Sequence, residues 1–170
     1  MIVWKDIKPQ RLKDKWIRMV FLNAMRKEGT QIRHDFQRTT KTWTHKPTFD
    51  VVISLTGPGP VVIVGTDDKI YGYVNDGTKP HLILAGIYSG KSKKKALAFS
   101  EGYTAKTAPG VLDAKDGGPH GDVILRAAVL HPGTEARRFD EEIQKLWEKR
   151  FKRDMEEVLG EVAKESGHAL

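Results

Sequence analysis

Residues 86–92 come closest to a segment whose residue types and spacing could perform chemistry, because two glycines are followed there by a lysine and a serine. A phosphate-binding loop has four residues between its glycines and opens a helix whose N-terminus faces the phosphates. Here three residues separate Gly86 from Gly90, Ala85 stands where the first glycine is needed, and three lysines follow instead of a helix start. We interpret the segment as a basic turn between two strands.

The histidines and carboxylates lack the spacing of a catalytic or metal-binding set. A helical metal site places two histidines at positions i and i+4, and no pair in this chain has that spacing. His81 and His131 stand at predicted strand ends, so we interpret both as hydrogen-bonded structural residues. Asp113, Asp116 and Asp122 lack the alternation and the final glutamate of a calcium loop. Since the chain also has no cysteine, we predict a protein that is not an enzyme and uses neither a metal ion nor another cofactor.

Residues 91–95 form a dense cluster of positive charge. It consists of Lys91, Lys93, Lys94 and Lys95, which are candidate contacts for DNA or for an acidic protein partner. Aromatic side chains that would stack on bases are sparse nearby, where the sequence offers Tyr88 and Phe99. The alternative is a solvated loop whose charges keep an edge strand from pairing wrongly.

Two long helices are predicted, one before and one after the middle of the chain. Apolar residues recur in steps of three, four and seven from Leu12 to Phe36, which predicts a helix from about Pro9 to about Arg38. Gly29 is a weak helix former inside this predicted helix, so the helix is either bent or broken at Gly29 or continues through it. A clearer apolar face, with mixed charges opposite, predicts an amphipathic helix over about residues 139–165.

Between the helices, the pattern predicts a small, mostly antiparallel β-sheet over about residues 49–130. Runs of β-branched and aromatic residues bounded by turn-forming residues mark the strands. Residues 100–122 are rich in glycine and proline and show no periodicity, which predicts a long flexible loop. The predicted strands are residues 49–55, 61–65, 81–85, 96–99 and 123–130, with a capped helical turn after residues 66–68 and a tight turn at residues 75–77. The fold class is therefore α+β, in a single domain over residues 1–170.

Composition and charge favour a protein with a modest core and solvated helices, since 39% of the residues are hydrophobic and 30% are charged. The N-terminus does not resemble a signal peptide, and no apolar run approaches the roughly 20 residues that span a bilayer, so we expect a soluble, cytoplasmic protein. The net charge of +7 is concentrated in residues 1–50, which carry twelve Lys/Arg against five Asp/Glu. This asymmetry favours either a nucleic-acid or acidic-partner surface, or contacts between basic and acidic ends of neighbouring subunits.

Two short segments resemble the signatures of a family of phage neck and tail-completion proteins. Residues 71–81 resemble a pattern of an aromatic residue, Tyr-Val, Gly-Thr and proline, and residues 131–139 resemble a His-Pro-Gly-Thr pattern that opens the last helix. Residues 98–110 are similar to one branch of the family. The similarity extends over roughly residues 10–160 and is specific at the two segments, whereas the N-terminal half is more basic than the family pattern. The subunit-interface candidates in the two segments are Tyr73, Asn75, Gly77, Thr78, His131, Pro132, Gly133, Thr134, Arg137 and Arg138.

The resemblance implies a structural subunit without chemistry, located in the virion neck or at the top of the tail and made in the host cytoplasm. It implies a ring of copies of the chain, six-fold in our prediction, between a head connector or head-closure protein and a tail tube or tail terminator protein. Passing genomic DNA is a further candidate contact, and a membrane is not. Free in solution, we expect a monomer or a weak oligomer.

Three alternatives stay open at the level of the sequence. Arg137 and Arg138 begin the last helix, where cations are unfavourable, so they are either held by an acidic partner in the next subunit or simply solvated. The basic first 50 residues are also compatible with a phage DNA-binding protein. A hydrolase or nuclease is the least favoured function, because no acid, metal or nucleophile set supports it.

Overall fold

The computed structural model describes residues 14–54 and 61–166 of the chain. Along the chain, one long helix precedes and another follows a series of short antiparallel strands and two short helices, which confirms the predicted α+β fold. The elements are α1 (Asp14–Thr39), β1 (Asp50–Ser54), β2 (Val61–Gly65), α2 (Lys69–Asn75), β3 (His81–Leu84), α3 (Gly86–Ser89), β4 (Leu97–Thr104), β5 (Gly118–Arg126), β6 (Ala128–His131) and α4 (Phe139–Glu165). The bounds of α4 agree with the prediction, while the predicted first residues of α1, 9–13, lie outside the described residues.

The helices α1 and α4 pack side by side in opposite directions. The indole Nε1 of Trp147 donates a hydrogen bond of 2.7 Å to the Asp35 carboxylate. Two turns earlier in α1, Glu28 lies close to Asp154, which is two turns later in α4. The C-terminal half of α1 therefore lies beside the N-terminal half of α4.

Gly29 does not interrupt α1, which is continuous from Asp14 to Thr39. A Cβ atom on Gly29 would lie 2.5 Å from Cγ1 of Val51 and 3.1 Å from Cγ1 of Val62. A glycine is needed here because the β1–β2 pair packs directly on the helix backbone. Gly29 is thus a contact site between the helix and the strands.

The core is a cluster of aromatic side chains where α1, α2, α4 and the start of β1 meet. The ring centroids of Phe36, Phe49, Tyr71 and Phe139 lie 5.0 to 6.3 Å apart in successive contacts. The predicted cap within residues 66–68 is confirmed and is Asp68, whose carboxylate accepts a hydrogen bond of 2.8 Å from the Tyr71 N–H. This cap holds the start of α2 in place, so that Tyr71 points into the core.

The strands form three separate two-stranded antiparallel ribbons rather than one sheet: β1–β2, β3–β6 and β4–β5. The predicted single strand over residues 123–130 divides at Ala127. Up to Arg126 the chain pairs with β4, and from Ala128 it pairs with β3. The sequence predicts one strand here because residues 123–130 are a nearly continuous apolar run, and the change of partner strand at Ala127 has no signal in the local sequence.

The predicted flexible loop over residues 100–122 is wrong at both ends, because β4 extends to Thr104 and β5 begins at Gly118. The register shifts between Ser100 and Gly102, as in a β-bulge. A Cβ atom on Gly102 would lie 2.1 Å from Cε1 of His120, so this glycine admits a ring from the opposite strand. Local rules count such glycines as strand breakers, whereas bulges use them.

The remaining connection, residues 105–117, is attached to the C-terminal end of α1. The Lys106 ammonium donates to the Thr42 carbonyl at 2.8 Å, and the Thr42 hydroxyl donates to the Lys115 carbonyl at 2.9 Å. Arg38 forms an ion pair of 2.7 Å with Asp113. These contacts make the connection part of the folded domain, in contrast to the predicted free loop.

Candidate assembly surface

The two segments that resemble the family signatures lie against each other. Thr78 and Thr134 exchange backbone hydrogen bonds of 2.8 and 3.0 Å. This bridge continues the register of the β3–β6 ribbon, in which His81 pairs with His131. Pro80 and Pro132 lie between the bridge and the ribbon, and since proline has no N–H, the ladder is interrupted there. We call residues 74–81 and 131–138 together the motif junction.

The glycines of the motif junction allow its two backbones to approach closely. Gly77 has a φ of +75°, and a Cβ atom there would lie 2.6 Å from the Thr134 carbonyl oxygen. Gly133 has a φ of +92°, and a Cβ atom there would lie 2.2 Å from the Thr78 carbonyl oxygen. Both glycines are therefore required by contacts inside one chain.

Asn75 connects the motif junction to the start of α4. Its carbonyl oxygen accepts hydrogen bonds of 3.0 Å from the backbone N–H groups of Arg137 and Arg138. Its side-chain oxygen accepts a hydrogen bond of 3.3 Å from the Asp140 N–H. Arg138, the N-cap residue of α4, has a left-handed backbone and no capping hydrogen bond from its own side chain. Asn75 thus supplies from another element the acceptors that the first turn of α4 needs.

Arg137 and Arg138 find their acidic neighbours within the same chain. The Arg137 guanidinium is nearly buried, with 3.4 Å between its Nη1 and Oε2 of Glu135 and 3.3 Å between its Nε and Oγ1 of Thr107. Arg138 is exposed and pairs with Glu141 at 3.0 Å. Of the two alternatives, an acidic partner in the next subunit is therefore not required for either arginine, and Arg137 is a nearly buried residue of this chain.

The interface candidates fall into two groups. Asn75 and Arg137 are buried, and Gly77, Thr78, His131, Gly133 and Thr134 are half-buried within the motif junction. Tyr73, Pro132 and Arg138 are exposed, and Tyr73 has 59% of its surface accessible. The exposed residues are accessible to a partner. The buried and half-buried residues hold the backbone that carries the exposed ones.

His81 and His131 are hydrogen-bonded at the ends of their strands, as predicted. The His131 Nδ1 accepts a hydrogen bond of 3.0 Å from the Gly133 N–H. The Nδ1 of His81 donates to the Lys79 carbonyl at 2.9 Å. Within residues 14–54 and 61–166, no three His, Asp or Glu side chains are grouped so that they could hold a metal ion.

The lysine cluster lies in an exposed turn between β3 and β4. The single helical turn α3 precedes the lysines and ends at Gly90, whose φ is +71°. The Lys91 N–H returns to the Gly86 carbonyl at 3.0 Å. The predicted basic turn is confirmed in this geometry, and its lysines Lys91, Lys93, Lys94 and Lys95 are all exposed.

Each ribbon presents apolar side chains on its outer face. Leu82 and Leu130 lie directly opposite each other in the β3–β6 ribbon, with 59% and 72% of their surfaces exposed. Val52 opposite Ile63 in the β1–β2 ribbon and Val123 and Leu125 in the β4–β5 ribbon are similarly exposed. These exposed apolar side chains are the candidate contact residues of the ribbons.

The sequence did not indicate which apolar residues face outwards. Residues 82–85, for example, are a run in which apolar side chains follow one another, so the alternation that distinguishes a core face from a solvent face is missing. Comparisons of the chain with protein-family models, with curated proteins and with solved structures find no match. No helix in the described part of the chain combines the length and the apolar character needed to cross a membrane.

Proposed function

We propose that this chain is a non-enzymatic structural subunit of the neck or tail-completion region of a tailed phage or prophage. In this proposal, copies of the chain form a six-fold ring that joins the head connector or head-closure protein to the tail tube or tail terminator protein. The ring would belong to the virion, and genomic DNA would pass through it.

The motif junction is the observation that carries the proposal. The bridged residues Thr78 and Thr134 are 56 residues apart in the sequence, yet the two segments pair in one register and together begin α4. Two short resemblances that lie far apart could each be coincidental. Their direct contact supports the interpretation that they are two halves of one structural unit, in the order that the family resemblance implies.

The three ribbons support a subunit that completes its structure by contacts with neighbours. A two-stranded ribbon is only marginally stable alone and usually gains stability by packing against further elements. None of the four strands in the β3–β6 and β4–β5 ribbons contains a fully buried residue, and their least exposed residues are half-buried. Burial of Leu82, Leu130 and their counterparts against other subunits would supply the missing apolar contacts.

The direct test is electron microscopy of particles produced when the gene carries a nonsense mutation at Lys69. We expect filled heads beside separate, unjoined tails, and joined particles again when the intact chain is supplied from a plasmid. Normal infectious particles from the mutant would contradict the proposal.

A second candidate, a phage DNA-binding protein, is favoured by the charge on α1. Lys15, Arg18 and Arg26 lie within about 80° of one another around the helix axis. All three are exposed, and none forms an ion pair with another residue of the described ranges.

Titration of labelled duplex DNA at two salt concentrations tests this candidate. DNA binding through such residues predicts an affinity that falls steeply with salt, and a smaller slope for the double variant Arg18→Gln/Arg26→Gln. The variant with all four lysines of residues 91–95 changed to Gln separates the two basic surfaces. Absence of binding at physiological salt would remove this candidate.

A further inference from the structure

A groove runs between β2 and α4, with side chains of α1 as its floor. It has a volume of about 570 Å³ and is lined by residues 61–64 of β2, Ile32 and Phe36 of α1, and Asp140, Ile143, Gln144, Trp147, Glu148 and Phe151 of α4. We call it the β2 groove. Most of its lining is apolar, so an occupant must contribute apolar side chains.

The edge of β2 borders this groove. Successive residues of a strand point to opposite faces, so a space that touches four consecutive residues lies along the strand's edge. No residue of β1 lines the groove, and among the described residues β2 pairs only with β1. The backbone N–H and C=O groups on this edge are therefore positioned to pair with an added strand.

The charged residues that line the groove are Asp140 and Glu148, both acidic. An occupant that matches the groove is therefore a short extended segment with apolar and β-branched side chains and a net positive charge. Residues 1–8 of this chain have this composition, with Ile2, Val3, Trp4 and Ile7 beside Lys5 and Lys8, and with Asp6 as their one acid. Pro9 follows, and proline ends a strand because it cannot donate to the ladder.

The length of the chain favours a segment from a second copy. α1 begins at Asp14, and Ile32 of the groove lies 18 residues further along the helix, or about 27 Å. To reach its own groove, the segment would have to reverse at residue 13 and run back nearly fully extended. The sequence predicts a helix from Pro9, which would carry residues 2–7 further from their own groove. A neighbouring copy has no such restriction.

We propose that residues 2–7 of one copy bind the β2 groove of a neighbouring copy as an added β-strand. The backbone would pair with the free edge of β2, the apolar side chains would pack on Phe36 and Trp147, and the lysines would lie near Asp140 and Glu148. The inference stands apart from the phage assignment, because it concerns contacts between copies of any assembly of this chain.

The first test is binding of a synthetic peptide of residues 1–9 to the chain at nanomolar concentration, where self-association is minimal. Since the chain has no cysteine, one cysteine added after Leu170 carries the fluorescent label. We expect saturable binding of similar affinity to the full chain and to a version that lacks residues 1–8. Binding only to the shortened version would mean that each chain fills its own groove, and binding to neither would exclude the site. Both results overturn the proposal.

The second test uses N-methylated peptides to distinguish strand pairing from simple apolar adhesion. Along one strand edge, the N–H groups of alternate residues face the partner. One peptide is methylated at Val3 and Lys5, the other at Trp4 and Asp6. We expect one of them to lose about tenfold or more in affinity, while the other stays close to the unmodified peptide. Equal affinities of the two peptides would overturn strand addition.

The third test locates the binding site with a matched pair of variants on α4. Glu148 lines the groove, whereas Glu161 is exposed on the same helix more than two turns beyond the last lining residue, Phe151. We expect Glu148→Gln to weaken peptide binding roughly threefold at low salt and Glu161→Gln to leave it unchanged. The same affinity for both variants would place the peptide elsewhere.

Discussion

At the scale of single residues, glycines allow the close backbone contacts that this fold requires. Gly77 and Gly133 hold left-handed backbone conformations and also face the carbonyl oxygens of the opposite segment. Gly90 has a similar φ, of +71°, but a Cβ atom there would meet no heavy atom within 4 Å. The chain therefore offers an internal comparison between conformational strain alone and strain combined with a steric clash.

We predict that Gly133→Ala destabilises the protein by more than about 3 kcal/mol, because it adds a clash with the Thr78 carbonyl to the strain of the left-handed backbone. Gly90→Ala should cost about 1 kcal/mol, since it meets the strain alone. Urea unfolding of the three proteins, followed by circular dichroism, measures both values. Equal losses in the two variants would contradict the close packing at the motif junction.

Gly29 and Gly160 provide a second comparison, within helices. Alanine is a better helix former than glycine by about 1 kcal/mol, so Gly160→Ala, which meets no neighbour, should raise the free energy of unfolding. Gly29→Ala should lower it by roughly 1–3 kcal/mol, because its Cβ would collide with Val51. Thermal and urea unfolding test both signs, and stabilisation by Gly29→Ala would show that β1–β2 does not pack on α1 as described.

At the scale of the elements, the α1–α4 pair contains a carboxylate in an unfavourable place. Glu28 is buried in this helix pair, and its Oε2 atom has no hydrogen-bond partner. Burial, and next the charge of Asp154, raises the pKa of Glu28 above its ordinary value. An acid whose pKa is raised on folding destabilises the folded state at neutral pH, and this cost disappears as the pH falls through the raised pKa.

We therefore expect Glu28→Gln to be more stable than the natural chain at pH 7, because glutamine carries no charge to bury. The difference should shrink as the pH is lowered and should be small near pH 4, where Glu28 is protonated in the folded natural chain. Unfolding free energies measured between pH 7 and pH 4 test this, with the exposed Glu161→Gln as the control. A stability difference that is independent of pH would contradict the assigned burial of the Glu28 charge.

At the scale of the whole molecule, the helices and the aromatic core form the internally completed part of the chain. The ribbons carry exposed apolar side chains, of which Leu82 opposite Leu130 is the most exposed pair. The stability of the isolated chain and its capacity to assemble should therefore depend on different residues.

We predict that Leu82→Asn/Leu130→Asn keeps the unfolding free energy within about 1 kcal/mol of the natural chain, because both side chains are already exposed. The same variant should fail to join heads to tails when it is supplied to the Lys69 nonsense mutant. Leu159→Asn, at a 52% exposed position on α4, is the matched control and should restore joining. If the double variant joins heads to tails as well as the natural chain does, the outer face of the β3–β6 ribbon is not an assembly contact.

The sequence by itself determined the parts of the fold that depend on residues close together in the chain. The periodicity of residues 139–165 predicted α4, residues 66–68 predicted a helix cap before α2, and the turn residues around Gly90 predicted a basic turn instead of a phosphate site. In each case the deciding contacts span a few residues, so that composition and spacing contain the necessary information.

Only the tertiary structure decided which segments meet. It divides the run around Ala127 between two ribbons, places Arg137 beside Thr107, and opposes Pro80 to Pro132. It also leaves the edge of β2 beside an apolar groove. None of these features has a local signal, because each depends on pairing or packing between residues that the chain brings together only after folding, and the same apolar run can be stabilised by any strand that reaches it.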